Sequence, residues 1–288
     1  MPELPEVETI RRGLSKNIVG KTIAAFASDT PKMLNHPQAF YRRALAGKKI
    51  LRVGRRAKML IFELSQENNL LFHLKMTGQL VYQGRNKCII GGHPIKEGFQ
   101  CAQNRFTHGE FVFSDKTHLF FNDVRKFGWI RLYSHRQLSD YLDSLGLGPE
   151  PLEKEFSLGW LKRALARRPK AKLKPWLMDP KNVVGIGNIY SDEICFYAKV
   201  RPDRRLRDLT EKEIAAIYRG TKIILKEAIK YEGTSISDYV NAAGEAGAYT
   251  KKLKVYQRYG KNCFKCRGQV AKIRLGGRTG SFCPHCQK

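Results

Sequence analysis

The sequence predicts an α+β protein of several domains: an antiparallel β-sandwich behind one N-terminal helix, then a helical domain, then a small cysteine-rich module. Short segments that alternate polar and apolar residues fill the first half of the chain, which is typical of a sandwich. A Gly- and Pro-rich stretch, residues 145–152, separates them from segments with helical periodicity. Two Cys-x-x-Cys pairs follow near the C-terminus.

The N-terminal helix is predicted from about Glu6 to Val19, because Val7, Ile10, Leu14 and Ile18 recur at three- to four-residue steps. Gly, Asn and Asp turns separate the strands that follow. These predicted strands are Thr22–Phe26, Ile50–Val53, Met59–Leu64, Leu70–Leu74, Leu80–Tyr82, Phe111–Phe113, His118–Phe121 and Trp129–Tyr133.

Helical periodicity begins after residues 145–152, which we interpret as a linker and hinge. It predicts a helix at Leu158–Ala166 and a helix pair from Asp208 to about Tyr231. Gly185-x-Gly187 lies near a further helix start, as in either a phosphate-binding turn or a simple tight turn. We therefore expect domains at residues 1–133, 152–254 and 255–288, with a linker at 134–151.

The two cysteine pairs predict a structural metal site. Cys263 and Cys266 are separated from Cys283 and Cys286 by residues 267–282. Four thiolates at this spacing suit one tetrahedral Zn²⁺ with no open coordination position. A fragment this small lacks a sizeable core, so the zinc would supply its folding energy.

Charge points to a polyanionic partner. Lys and Arg number 53 against 26 for Asp and Glu, a formal net charge of +27. Such an excess favours nucleic acid over an anionic membrane surface. No apolar run approaches the roughly 18 residues of a membrane span, and charged residues replace the apolar centre of a signal peptide. We expect a cytoplasmic monomer whose cysteines bind metal rather than form a disulfide framework.

The first residues contain a candidate nucleophile. If Met1 is removed, which the small Pro2 permits, the chain begins with a secondary amine, and the pKa of such an amine is about 8. Amines attack carbonyl-like carbons and form Schiff bases. Glu3 is placed to act as general acid or base beside it. The alternative is that Pro2 and Pro5 only stiffen the terminus.

Residues 2–13, Pro-Glu-Leu-Pro-Glu-Val-Glu-Thr-Ile-Arg-Arg-Gly, resemble the N-terminal signature of the formamidopyrimidine-DNA glycosylases of the Fpg/Nei family. The related endonuclease VIII branch begins Pro-Glu-Gly-Pro-Glu, so Leu4 favours the formamidopyrimidine branch. The resemblance implies a helix-two-turns-helix motif in the helical domain and a zinc-finger β-hairpin at the end. It also implies duplex DNA with oxidised bases or abasic sites as partner.

Three motifs of the N-terminal half extend the resemblance. Arg55-Arg56-Ala57-Lys58 implies a catalytic Lys58 that holds a phosphate beside the lesion. His73-Leu-Lys-Met-Thr-Gly implies a phosphate contact for His73 and insertion of Met76 into DNA. Asp123-Val-Arg-Lys-Phe-Gly resembles Asp-Pro-Arg-Arg-Phe-Gly, which implies that Arg125 and Phe127 help fill the gap left by an extruded nucleotide. Lys126 replaces an Arg, keeping charge without the bidentate fork.

Further motifs lie in the second half. Lys174-Pro-Trp-Leu-Met-Asp and Val183-Val-Gly-Ile-Gly-Asn-Ile-Tyr match the helix-two-turns-helix region, which implies that Asn188 grips a phosphate. Residues 244–249 resemble the loop that folds over the flipped base, where a plain surface loop is the alternative. Arg278 stands where the finger hairpin carries its DNA-contacting arginine.

Residues 84–105 depart most from the resemblance. A second metal site from Cys88, His93 and Cys101 fits no familiar spacing, so we interpret the segment as an exposed loop with free thiols.

The resemblance therefore implies a bifunctional DNA glycosylase and abasic-site lyase that removes oxidised purines, with Pro2 and Glu3 as its catalytic pair and Zn²⁺ as its structural metal. Two alternatives stay open. One is an endonuclease VIII-like glycosylase for oxidised pyrimidines, and the other is a non-catalytic zinc protein that binds nucleic acid.

Overall fold

A computed structural model describes residues 1–85, 88–92, 102–234 and 248–288 of the 288-residue chain. The chain divides into two compact units. The first contains Met1–Ser144 and Tyr231–Thr250, and the second contains Leu145–Lys230 and Lys251–Lys288. In these described ranges, no helix combines the length and the apolar character needed to cross a membrane.

The first unit is an antiparallel β-sandwich with helices at its sides, as the sequence predicts. Its helices are α1 (Leu4–Ile18), α2 (Gln38–Leu45) and α3 (His135–Ser144). Its strands are β1 (Ile23–Ala27), β2 (Ile50–Arg56), β3 (Met59–Leu64), β4 (Asn68–His73), β5 (Gly78–Gln83), β6 (Cys88–Gly92), β7 (Thr107–Phe113), β8 (His118–Asp123) and β9 (Trp129–Ser134). One sheet has the order β1-β7-β8-β5-β6 and the other β2-β3-β4-β9.

One hydrophobic core fills the space between the two sheets. Alternate residues of each strand face inward, for example Phe62 and Phe72, whose ring centroids are 4.6 Å apart. Helix α1 adds Val7, Ile10 and Leu14 to this core, so burial of its apolar face fixes the N-terminus on the sandwich.

Strand β6 corrects the interpretation of residues 84–105. Cys88–Gly92 pairs with β5 as an edge strand, and Cys88 is disulfide-bonded, so the predicted loop with a free thiol at this position is wrong. Buried Ile89 and Ile90 favour the strand. Gly91 lets it approach α1, because a Cβ there would lie 2.8 Å from Ile10 side-chain atoms. His93 and Cys101 lie outside the described residues.

The second unit is helical. It contains α4 (Leu158–Ala166), α5 (Leu173–Met178), α6 (Asn188–Ala198) and α7 (Glu211–Lys230). The predicted helix pair over residues 208–231 is wrong, since α7 is one continuous helix of 20 residues. Gly220 in its middle does not end the helix but admits a neighbour: a Cβ there would lie 2.7 Å from the Tyr197 ring.

The C-terminal part of this unit is a β-hairpin of β10 (Ala271–Leu275) and β11 (Arg278–Phe282). Gly276 and Gly277 form its two-residue turn, and both have positive φ, 54° and 74°. A turn of this kind requires left-handed backbone at both positions, which glycine adopts without strain. Arg278 is consequently presented at the tip, exposed.

Candidate functional site

The N-terminal segment is held rigidly at the start of α1. Pro2 and Glu3 are buried, whereas Met1 is 43% exposed. The Glu3 carboxylate accepts the backbone N–H of Glu6, and the Glu6 carboxylate accepts the N–H of Glu3 at 2.8 Å. This reciprocal arrangement is a capping box. The other Glu6 oxygen accepts the N–H of Thr234 at 2.8 Å, which holds that residue beside the N-terminus.

The β2–β3 hairpin carries Lys58 and is tied to α1. Arg55, just before the turn, pairs with Glu8 of the helix at 3.4 Å. Arg11 donates to the Val53 carbonyl at 3.3 Å. Pro2 and Lys58 are therefore both carried by one helix–hairpin frame.

His73 lies at the end of β4, paired with Met59 on one side and Trp129 on the other. Its Nδ1 accepts the N–H of Lys75 at 2.9 Å, so the neutral ring carries its proton on Nε2. Burial, together with the charges of Lys75 and Lys58, lowers the pKa of His73 to about 3. His73 is thus a neutral hydrogen-bond donor close to the Lys58 ammonium.

Asp123 organises two loops that the sequence assigns to DNA. Its fully buried carboxylate accepts the hydroxyl of Thr77 and the N–H groups of Arg125 at 3.1 Å and Gly128 at 2.6 Å. Thr77 directly follows the half-buried Met76. The Met76 turn and the loop 123–128 are therefore joined through one side chain.

The 123–128 loop presents an aromatic ring and a cation to solvent. Phe127 is 52% exposed, and the Arg125 guanidinium lies 4.6 Å from its ring centroid. Lys126 between them is exposed and has a left-handed φ of 54°. Stacking rings and guanidinium donors are the groups that proteins use on exposed bases.

Asn188 lies in the second unit as the first residue of α6, beside an open cavity of about 460 Å³. Its amide nitrogen donates to the Tyr256 hydroxyl at 3.4 Å. Its amide oxygen is buried and makes no hydrogen bond within the described part of the chain. The positive end of the helix dipole at this helix start suits an anion such as phosphate.

Buried charges join α6 to the hairpin of this unit. Lys174 and Asp192 form a fully buried ion pair at 2.6 Å, and Asp192 also accepts the N–H of Ser281 at 2.8 Å. Burial raises the pKa of Asp192, and the Lys174 ammonium opposes this rise. Glu193 accepts the N–H groups of residues 254–256 at 2.9–3.0 Å. Adjacent carboxylates of one helix therefore hold both the hairpin and the chain that leads to it.

Cys263, Cys266, Cys283 and Cys286 come together as the sequence predicts. Their sulfur atoms all lie within 4.8 Å of one another, and they form the one cluster of potential metal ligands in the described ranges. Four thiolates fit a tetrahedral metal ion.

Comparison with known proteins identifies the family. The N-terminal domain model of formamidopyrimidine-DNA glycosylases matches residues 1–130, and the H2TH domain model matches residues 147–240. The formamidopyrimidine-DNA glycosylase of Pelotomaculum thermopropionicum is 40% identical over 289 residues, covering 100% of this chain and 99% of that protein. The chain belongs to the formamidopyrimidine-DNA glycosylase family. The enzyme of Listeria innocua is 39% identical, with 100% of both chains covered.

Solved structures of the glycosylase family share the fold over the whole chain. A Lactococcus lactis Fpg variant in complex with Fapy-dG-containing DNA has a TM-score of 0.88 and 34% identity, with 100% of both chains covered. The L. lactis Fpg in complex with abasic-site DNA has a TM-score of 0.88, 34% identity and 99% coverage of both chains. The resemblance of residues 2–13 to this family is therefore confirmed.

Some residues that shape this glycosylase site are not apparent from the sequence alone. The role of Glu6 could have been predicted from the sequence, since Glu3-x-x-Glu6 has the spacing of a capping box. No sequence pattern predicts the roles of Asp123 and Glu193, because their burial and their backbone partners appear only in the folded chain. In the predicted base-capping loop, residues 244–247 lie outside the described ranges, and Tyr249 is buried.

Proposed function

We propose that the chain is a bifunctional DNA glycosylase and abasic-site lyase that removes oxidised purines, such as 8-oxoguanine and formamidopyrimidines, from duplex DNA. The main support is the Pro2–Glu3 pair, which is buried at the start of α1 and held by the capping box with Glu6. The chain that contains this pair belongs to the formamidopyrimidine-DNA glycosylase family. Its substrate is chromosomal DNA, so we place the enzyme in the cytoplasm with the nucleoid.

In the proposed reaction, the Pro2 amine, freed by removal of Met1, attacks C1′ of the damaged nucleotide while the bond to the base breaks. Glu3 donates a proton to the sugar ring oxygen, which opens the ring and leaves an iminium between Pro2 and C1′. The iminium draws electrons from the neighbouring carbon, so a C2′ proton leaves and the 3′-phosphate departs. A second elimination releases the 5′-phosphate, and water then frees Pro2.

Four residues would hold the phosphates around the lesion, and contacts of this kind do not distinguish one base from another. Lys58 and Arg278 supply charge, whereas His73 and Asn188 supply neutral donors. The His73 assignment is supported by the Nε2 proton that the Lys75 contact dictates, and the Asn188 assignment by its place beside the cavity.

Met76, Arg125 and Phe127 would fill the gap that the extruded nucleotide leaves. Extrusion costs a few kcal/mol of stacking, which an inserted aromatic ring and a bidentate donor partly offset. Asp123 anchors both loops through its hydrogen bonds to Thr77 and Arg125. This supports the role, because a side chain inserted into DNA needs a loop that stays in place. Lys126 would add charge at the loop.

The four clustered cysteines would hold one Zn²⁺ with no position left for substrate, so the metal would be structural. Its role would be to fold the hairpin that presents Arg278.

Borohydride trapping on a duplex with 8-oxoguanine tests the proposal. We expect a covalent adduct whose peptide map places the sugar on the N-terminal proline. Pro2→Gly should slow base release and strand cleavage together, and Glu3→Gln should slow base release by roughly 100-fold while affecting a preformed abasic site less. A form that retains Met1 should bind DNA but stay nearly inactive.

Pro5→Ala is the matched control, because it removes the neighbouring proline of the same terminus without touching the nucleophile. It should leave trapping intact, and equal losses in both proline variants would indicate that stiffening alone matters. A sugar mapped to Lys58 or to another lysine would refute the mechanism. A base-release panel with oxidised purines and pyrimidines separates this activity from the endonuclease VIII-like alternative.

A further inference from the structure

We propose that Gln257 is a further contact to the DNA backbone in the cavity beside Asn188, and that the chain retains a strained backbone at this residue for that contact. The inference rests on the proposed function, since it takes the occupant of the cavity to be the phosphate and sugar of a DNA strand.

The backbone of Gln257 is left-handed, with φ at 53°. Glycine adopts this region freely, and Asn or Asp adopts it more often than other residues, whereas Gln has no such preference. The neighbours impose the conformation: the N–H of Tyr256 donates to Glu193 at 2.9 Å, and the N–H of Arg258 donates to the Val255 carbonyl at 2.9 Å. Glycine is therefore the residue that the fold itself would favour here.

The side chain of Gln257 makes no contact in the described part of the chain that would stabilise the fold. It is exposed, and its amide makes no hydrogen bond to any described residue. Left-handed backbone also occurs at Gln66, but Gln257 differs from it in lining the cavity beside Asn188. A strained residue at the wall of a cavity is accounted for when its side chain contacts a ligand, because strained residues cluster at functional sites.

The surroundings of Gln257 indicate the chemistry of that ligand. It lines the 460 Å³ cavity together with Asn188, Tyr256 and Thr279, so amide and hydroxyl groups form the wall. The Tyr259 ring, 52% exposed, lines the same cavity, and the Lys272 ammonium lies 5.4 Å from its centroid. Neutral donors beside a cation suit a phosphodiester, whose oxygens accept hydrogen bonds along the strand.

Gln257→Gly tests this contact, because it removes the side chain and relieves the backbone at the same time. We expect duplex affinity to fall about five-fold, equally for lesion-bearing and intact DNA, as for the loss of one neutral hydrogen bond. The unfolding temperature should not fall, and the salt dependence of binding should be unchanged, since no charge is lost.

Gln66→Gly is the matched control. Gln66 has the same side chain and a left-handed φ of 59°, and it is exposed in the β3–β4 turn, outside the cavity. It should leave affinity unchanged. Wild-type affinity in Gln257→Gly, or an equal loss in both variants, would overturn the inference.

Asn188→Ala separates this inference from the proposed function. If Asn188→Ala weakens binding and Gln257→Gly does not, the cavity holds DNA but Gln257 is no contact. If neither variant weakens binding, the assignment of the cavity to DNA fails as well.

Discussion

His73 lies among cations and is nevertheless uncharged at neutral pH, because burial and the nearby Lys75 and Lys58 lower its pKa to about 3. A charged His73 would add to the repulsion within this cluster in the absence of DNA. A neutral ring with its proton fixed on Nε2 keeps a directed donor and adds no such repulsion.

We expect His73→Gln to make folding less sensitive to acid. The unfolded chain binds a proton on His73 below about pH 6.5, whereas the folded protein does so only near pH 3. The stability linked to His73 is therefore complete above pH 6.5 and is lost as pH falls, by about 1.4 kcal/mol per pH unit, until pH 3 is reached. Urea unfolding from pH 7 to about pH 5 should cost the wild type roughly 2 kcal/mol more than the variant. Equal losses would show that His73 is protonated in the folded state.

For single residues, the sequence predicts roles that depend on a short motif but not roles that depend on distant contacts. Pro2, Glu3 and Lys58 could be proposed as catalytic residues because short motifs contain them and their chemistry is local to the chain. Asp123 could not be assigned its role, because its effect depends on a threonine 46 residues away. A contact between loops that are distant in the sequence produces no motif of fixed spacing from which it could be predicted.

At the scale of elements, strong periodicity decides what the sequence can predict. Strand β3 and helix α4 have the predicted bounds, since the apolar residues of each follow its period: Leu60, Phe62 and Leu64 are buried at two-residue steps in β3, and Leu161 and Leu165 are buried one turn apart in α4. Helix α2 was not predicted, because it is short and only Tyr41 and Leu45 of it are buried. Strand β6 lies in the segment that we interpreted as an exposed loop, and Gly91 allows it to pack closely against α1.

We expect loss of the metal to unfold the chain from about Val255 onward while the β-sandwich stays folded. Val255, Cys263, Val270 and Cys283 form a small core of their own, too small to persist without a metal. Cys263→Ser combined with Cys286→Ser should therefore abolish tight DNA binding. Metal analysis, limited proteolysis and duplex binding would measure this.

Cys195→Ala provides the control for this variant, because Cys195 is a buried free cysteine of α6 outside the metal cluster. It should retain both zinc and DNA affinity. Active protein without zinc, or full activity in the double variant, would contradict the structural role of the metal.

For the whole molecule, composition predicts the kind of partner, and the fold determines which charges meet it. A net charge of +27 implies a polyanion but does not distinguish one lysine from another. Many of the cations are engaged within the protein, such as Arg52 with Glu63 and Lys174 with Asp192. Sequence alone could not sort these from the cations that remain available to DNA.

We expect Lys58→Ala and Arg278→Ala each to weaken binding to every duplex, with or without a lesion, because phosphate contacts are blind to sequence. Each variant should reduce the slope of log affinity against log salt by about 0.9, the share of one neutralised phosphate. Arg52→Ala is the control on the Lys58 hairpin: its charge is already balanced by Glu63, so the slope should stay unchanged. Arg125→Ala should instead alter the preference for the base opposite the lesion. Filter binding across a salt series with paired lesion and intact duplexes measures Lys58→Ala, Arg278→Ala and Arg52→Ala, and lesion duplexes that differ in the opposite base measure Arg125→Ala. A Lys58→Ala enzyme that changed its lesion selectivity and kept the wild-type slope would show that Lys58 reads the base and not the backbone.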